Sequence, residues 1–138
     1  MTVHSGLLRL ETEGDGQIVD LTQGVAAVVR QSEVSHGAVT VFVTGSTAAV
    51  TTMEYEPGGV EDLQKTLERL VPRAGDYAHN VMNGDDNAHA HLRAALVGAS
   101  ETVPLVGGRM VLGTWQQIVL LDFDTRPRRR EVHVQVLS

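Results

Sequence analysis

The residues with the most chemical potential lie between Asp76 and His91. Asp76, His79, Asn83, Asp85, Asp86, Asn87, His89 and His91 crowd this stretch, and it holds three of the six histidines. Carboxylates with imidazoles are the ligand set for zinc, manganese or iron where thiols are absent. The same groups supply acids and bases near neutral pH. A plainer use is also open, because Asp85-Asp86 makes a good helix N-cap. His89 and His91 are two residues apart, so on a helix they point about 200° from one another and do not easily share an ion. Asn87 and His91 are four apart and share a face. His79, His91 and Asp86 are therefore candidates for catalysis, and His79, His89, His91 and Asp86 are candidate metal ligands.

Four other groups stand out. Gly45-Ser46-Thr47-Ala48 follows a β-branched run, where a glycine lets backbone N–H groups approach an anion; an ordinary turn fits equally. Glu54 ends the next strand, as a base, a ligand or a water-facing edge residue. Gly113-Thr114-Trp115-Gln116 puts the single Trp beside an amide. It is either a pocket floor with an indole donor or a bulge with a core tryptophan. Arg126, Arg128, Arg129 and Arg130 could clamp a phosphate bidentately, form a solvated hairpin tip, or pair with a neighbouring subunit's acids. Walker, GxGxxG, HExxH and GxSxG motifs are absent, which removes several common enzyme classes.

The elements that must position these groups can be read from periodicity. Strands are expected at Leu7 to Leu10 and, after the Gly14-Asp15-Gly16 turn, at Gln17 to Val19. Leu21, Val25, Val28 and Val29 mark one face of a helix, capped by Asp20 or Thr22. Ala38 to Thr44, apolar on both faces, reads as a central strand, and Ala48 to Tyr55 as its successor. Val60, Leu63, Leu67 and Leu70 give an amphipathic helix stopped by Pro72. Arg73 to Asp86 has no period. A third helix follows, with Ala88, Leu92, Ala95 and Leu96 expected on its inner face and Gly98 at its end. Thr102 to Val106 and Arg109 to Leu112 flank Gly107-Gly108 as a hairpin. Gln117 to Phe123 is expected to pair with Glu131 to Leu137 across the loop containing Pro127. The sum is one α+β domain over residues 1–138, mainly antiparallel sheet with about three helices.

Composition supports a folded chain that needs no staple. It has 138 residues, 42% hydrophobic and 20% charged, with no cysteine, so disulfides, thiolate zinc sites and cysteine nucleophiles are excluded. The net charge of −6 and the scarcity of aromatics, two Phe, two Tyr and one Trp, argue against a nucleic-acid partner. No signal peptide and no run near the ~20 residues of a bilayer span is evident, so a cytoplasmic protein with no membrane partner is expected. Gln117 to Phe123 is apolar on both faces. Under a single helix layer it would leave apolar surface wet, which suggests a homo-oligomer.

Taken together, the strings Phe42 to Val50, Asn87 to Leu92, Leu112 to Gln116 and the Arg-rich closing hairpin resemble, in order and spacing, the YjbQ-like family over nearly the whole chain. The resemblance implies a small cytosolic α+β protein, a homotrimer rather than a dimer, and a site near a subunit boundary. Some family members are described as secondary thiamine-phosphate synthases, joining a hydroxymethylpyrimidine diphosphate to a thiazole phosphate with release of pyrophosphate. The histidine and carboxylate cluster has been taken as a metal site in the family, so magnesium or zinc is implied and no organic cofactor. Carried onto this chain, Arg128 and Arg129 would neutralise the pyrophosphate, Asp86 and Glu54 would hold magnesium, and His79 or His91 would handle a proton. Trp115 would stack on the pyrimidine, with Ser46, Thr47, Thr114 and Gln116 as further substrate contacts. This chain departs from the family at Gly45, where many members have a histidine, and at Met53, where they often have asparagine. The departure favours an alternative: a trimeric metal- or small-ligand-binding protein without thiamine chemistry. A purely structural module is the third reading. The functional readings share one geometric requirement: the imidazoles and the tryptophan box must converge on one cavity, completed by a second protomer.

Overall fold

The computed structural model describes residues 1–138. Twelve elements follow one another: β1 (Val3–Thr12), β2 (Gln17–Asp20), α1 (Thr22–Ser32), β3 (Gly37–Val43), β4 (Ala48–Met53), α2 (Pro57–Leu70), α3 (Ala78–Asn83), α4 (Ala88–Val97), β5 (Ser100–Val106), β6 (Arg109–Met110), β7 (Gln117–Asp122) and β8 (Arg128–Leu137). The strands form two sheets, one of five in the order β1-β8-β3-β5-β6 and one of three in the order β2-β7-β4. Every pairing is antiparallel. The α+β expectation holds.

Alternation along β8 sends Val132, Val134 and Val136 inward and Glu131, His133 and Gln135 outward, as a strand with one wet face requires. The inward set meets Val39, Val41 and Val43 of β3, Val25, Val28 and Val29 of α1, and Val50, Ile118 and Leu120 of the small sheet in one core. A second core lies on the far side of the small sheet. There Ile18, Ala49, Val119, Leu121 and Phe123 pack against Leu67 of α2 and Ala90 and Ala94 of α4. β7 is therefore sandwiched within its own chain. That corrects the expectation that its apolar second face needs a partner, because two sheets and a helix layer, not one of each, cover it.

The pairing of Gln117–Phe123 with Glu131–Leu137 also fails. β7 sits between β2 and β4, and β8 between β1 and β3. Residues 123–127 carry the chain from one sheet to the other. Phe123 N–H is tied to Thr47 O at 2.9 Å on the way.

The helices are set by local chemistry. Asp20 accepts from the Thr22 N–H (2.9 Å) and hydroxyl (2.7 Å) before α1. The Glu56 carboxylate caps α2 by accepting from the Gly58 and Gly59 N–H groups. On α2 Leu67 is buried but Leu70 is 70% exposed. The unperiodic stretch contains the six-residue α3, docked through Asn80, whose Oδ1 accepts the Ala88 N–H at 3.0 Å. α4 buries Ala88, His89, Ala90, Arg93 and Ala94, while Leu92 is 45% and Leu96 70% exposed. Of the expected inner face only Ala88 is buried, and Leu92, Ala95 and Leu96 are not: alanines let α4 sit close on β4, and Arg93 turns inward to reach Val71 O (3.0 and 2.8 Å) and Glu68 (2.6 Å). β6 stops at Met110, short of Leu112. No helix is long and apolar enough to cross a membrane.

Candidate functional site

The end of the small sheet where Ala48 pairs with Asp122 carries the densest buried chemistry. Arg130 grips Asp122 with Nε–Oδ2 at 2.6 Å and Nη2–Oδ1 at 2.9 Å, and Nη2 also donates to Thr47 Oγ1 at 2.7 Å. The Thr47 hydroxyl donates to Asp124 Oδ2 at 2.9 Å, which also accepts Arg128 Nε at 2.7 Å. Thr12 Oγ1 donates to Asp122 Oδ2 at 2.6 Å. Asp122 and Asp124 are fully buried. Burial opposes their ionisation, but the Arg130 and Thr12 donors and the Asp124 N–H hold the Asp122 carboxyl below its usual range. Thr47, Arg128 and the Thr125 N–H do the same for Asp124.

Thr47 and Arg128, expected on a substrate, are thus engaged in joining the two sheets. Ser46 and Arg129 face solvent, the latter 3.6 Å from Glu11. Sequence reasoning passed over Asp122, Asp124 and Arg130 as a unit. The available signal was Asp122 itself, an acid at the end of an otherwise apolar strand, which must find a buried partner. Gly45 roofs this network at φ +125°, a conformation that favours glycine. A β-carbon there would stand 2.8 Å from Arg130 Nη1.

α3 and α4 bring His79 and His91 together, with ring centroids 5.0 Å apart and planes tilted by 49°. Asn83 Nδ2 donates to His79 O at 2.9 Å, and Asn80 Oδ1 lies 3.3 Å from His79 Nδ1. Two residues twelve apart in sequence are thus neighbours in space. His89 does not join them. It is 2% exposed on the opposite side of α4, and neither its Nδ1 nor Asn87 Oδ1 has a hydrogen-bond partner. Burial first, then the Arg93 and Arg73 charges, lowers its pKa, so the ring is held neutral. Asp86 is exposed, its N–H turned to Asp85 Oδ1 at 2.8 Å, and caps nothing. No three His, Asp or Glu side chains gather around one point. The residues present do not fit a metal centre within one chain.

The tryptophan box occupies the opposite end of the small sheet. Gln116 shapes it, accepting the Gly113 N–H at 3.0 Å and donating to Thr52 Oγ1 at 3.1 Å. Gln117 fixes the neighbouring turn by accepting the Tyr55 N–H at 2.8 Å. Trp115 is 72% exposed, neither core nor pocket floor, and Thr114 and Glu54 beside it are exposed too. By contrast α4 meets the sheet at its other end, where Arg93 shares a cleft with Leu121, Phe123 and Asp15. His91 lies half a turn further toward the helix N-terminus. Six residues of β7 separate the ends, about 20 Å at ~3.3 Å per residue. Glu54 and Asp86 are divided in the same way and do not form a magnesium pair within a protomer. The expected convergence of imidazoles and tryptophan does not occur in a single chain.

Comparison with known proteins gives one consistent result. The family model described as UPF0047 protein YjbQ-like matches residues 7–138. A UPF0047 protein of Methanothermobacter thermautotrophicus is 39% identical over 136 residues, covering 99% of this chain and 93% of that protein. A crystal structure of a YbjQ-like protein of unknown function from Sulfolobus solfataricus superposes with a TM-score of 0.90 at 32% identity, covering 99% of each chain. That of a hypothetical protein from Aeropyrum pernix gives 0.90 at 36% identity, over 97% of this chain and 98% of the other.

Proposed function

This chain belongs to the UPF0047 YjbQ-like family, and from that premise we propose that it is a homotrimeric transferase acting on small phosphorylated molecules, of the thiamine-phosphate-synthase type. The observation that carries the reading is the His79–His91 pair, two imidazoles 5.0 Å apart. In the reaction, a thiazole ring nitrogen forms the new C–N bond at the pyrimidine methylene carbon while the C–O bond to the diphosphate breaks. Pyrophosphate leaves with the electron pair. Arg129, free of buried commitments, neutralises the departing charge, and one imidazole of the pair protonates the leaving oxygen. The test is steady-state turnover of hydroxymethylpyrimidine diphosphate and thiazole phosphate. General acid catalysis of this kind contributes about 10²–10⁴-fold, so His91→Ala should lose at least ~100-fold, with Arg129→Ala reducing the rate as well. Unchanged rates in both variants refute the assignment.

Gly45 favours a second reading, a trimeric metal- or small-ligand-binding protein. Its positive φ and the guanidinium beneath it leave this loop no place for the histidine of many relatives. A metal would need His79 and His91 from one protomer and a further ligand from another. Elemental analysis tests the metal: stoichiometric zinc that is lost in His79→Ala favours this reading, and metal-free protein of full stability counts against it.

A further inference from the structure

Asn80 stands where several hydrogen bonds meet, and their directions fix a proton. Its backbone oxygen accepts the Gly84 N–H and, at 3.1 Å, the Asp85 N–H, which closes α3. Its side-chain Oδ1 accepts the Ala88 N–H at 3.0 Å, at the start of α4, and lies 3.3 Å from His79 Nδ1. On the other side of the ring's backbone, Asn83 Nδ2 donates to His79 O at 2.9 Å. The His79 ring is thus carried on a pinned turn.

A backbone N–H can only donate, so the atom of Asn80 that faces Ala88 must be the amide oxygen and not the amide nitrogen. The orientation of the amide follows without reference to His79. An amide oxygen only accepts, and it has two lone pairs, enough for both neighbours. The ring nitrogen beside it must therefore donate, because a bare Nδ1 would set one lone pair against another. Neutral imidazole carries a single N–H, so a proton on Nδ1 leaves Nε2 bare. His91 is under no such constraint. Its ring is half-buried beside His79, and no group of the chain bonds to either of its nitrogens.

We infer that Asn80 is a positioning residue that holds His79 as the Nδ1–H tautomer, so that His79 presents Nε2 as an acceptor and His91 is the member of the pair that donates a proton. The division of tasks rests on the transferase reading above and deepens it; the tautomer does not depend on that reading. In the transfer step the N–H bond of His91 breaks as its proton passes to the leaving diphosphate oxygen. The electron pair of that bond stays on the ring nitrogen, and solvent returns the proton.

The tautomer can be read directly. In long-range proton–nitrogen correlation spectra at about pH 9, above the ordinary histidine range, a protonated ring nitrogen and a bare one differ widely in nitrogen shift. His79 of the unmodified protein, identified by the signals lost in His79→Gln, should show Nδ1 protonated and Nε2 bare. Asn80→Ala should move both shifts toward the average of the two tautomers. Asn80→Asp keeps an acceptor for both neighbours and should restore the native pattern, which a loss of packing would not explain. A protonated Nε2 in the unmodified protein overturns the inference whatever the variants do, and so does a native pattern that survives in folded Asn80→Ala. In the turnover assay His91→Ala should carry the ~100-fold or larger loss of a missing acid and His79→Ala a smaller one; the reverse order overturns the division of tasks. An inactive unmodified protein with Nδ1 protonated removes the transferase reading and leaves the tautomer standing, whereas an active one with Nε2 protonated does the opposite.

Discussion

Replacing Arg130 with methionine should destabilise the fold heavily, and the size of the effect can be worked from the network it holds. The guanidinium makes two bonds to Asp122 and one to Thr47, with Asp124 3.7 Å away. Methionine keeps most of the volume but leaves buried Asp122 with only the Thr12 hydroxyl and the Asp124 N–H, while Asp124 keeps Arg128. Removing one member of a buried ion pair costs about 3–5 kcal/mol, mostly because the remaining charge is uncompensated. For 138 residues at ~2.1 cal/mol/K each, the unfolding entropy is about 0.29 kcal/mol/K. The expected loss is therefore about 10–17 °C in Tm, read by circular dichroism at fixed protein concentration and pH 7.5. The deficit should shrink on acidification. In the native protein Asp122 has a lowered pKa, so its contribution is present above the unfolded value of ~3.9 and lost as pH falls through the folded one. In Arg130→Met burial acts without its counterweight and raises that pKa, so protonation relieves the variant. Arg129→Met, one residue away and solvated, should move Tm by no more than about 2 °C. If Arg130→Met melts within ~3 °C of the native protein, or its deficit is the same at pH 4.5 as at 7.5, the view of this network as the clasp between sheets is wrong.

Two further outcomes are expected. His89 has a lowered pKa, so it contributes stability above the unfolded value near 6.5, and that contribution declines as pH falls toward the folded value. Urea midpoints at pH 7.5, 6.5 and 5.5 should fall for the native protein and flatten in His89→Leu; parallel curves would refute the assignment. Gly45→Ala should cost about 1–3 kcal/mol from positive-φ strain plus the contact with Arg130, and should cost less in an Arg130→Met background, as measured by a double-mutant cycle.

The legible part of the fold was the part governed by neighbours in sequence. The valine runs of β3 and β8, the Gly107-Gly108 hairpin and the α1 face follow from spacing and turn chemistry alone. On α4, Leu92 and Leu96 outrank Ala90 and Ala94 in hydrophobicity, whereas the sheet selects residues small enough to let a helix approach it. β7 and β8 are consecutive in sequence but lie in different sheets, because residues 123–127 switch sheets, and a buried salt bridge marks the crossing.

By itself the sequence determined which groups are available: imidazoles at 79 and 91 without thiols, a rigid Gly-Thr-Trp-Gln turn, arginines at the closing strand, and the family to which such a combination belongs. These are matters of residue type and short-range order. Only the tertiary structure decided how those groups are distributed. It joined His79 to His91, turned His89 into the core, locked Thr47 and Arg128 into a clasp, and set the tryptophan at the far end of a sheet from the imidazoles. Those distances depend on the order of strands in two sheets, which arises from long-range pairing and from burial shared among segments more than a hundred residues apart, and no local pattern records it.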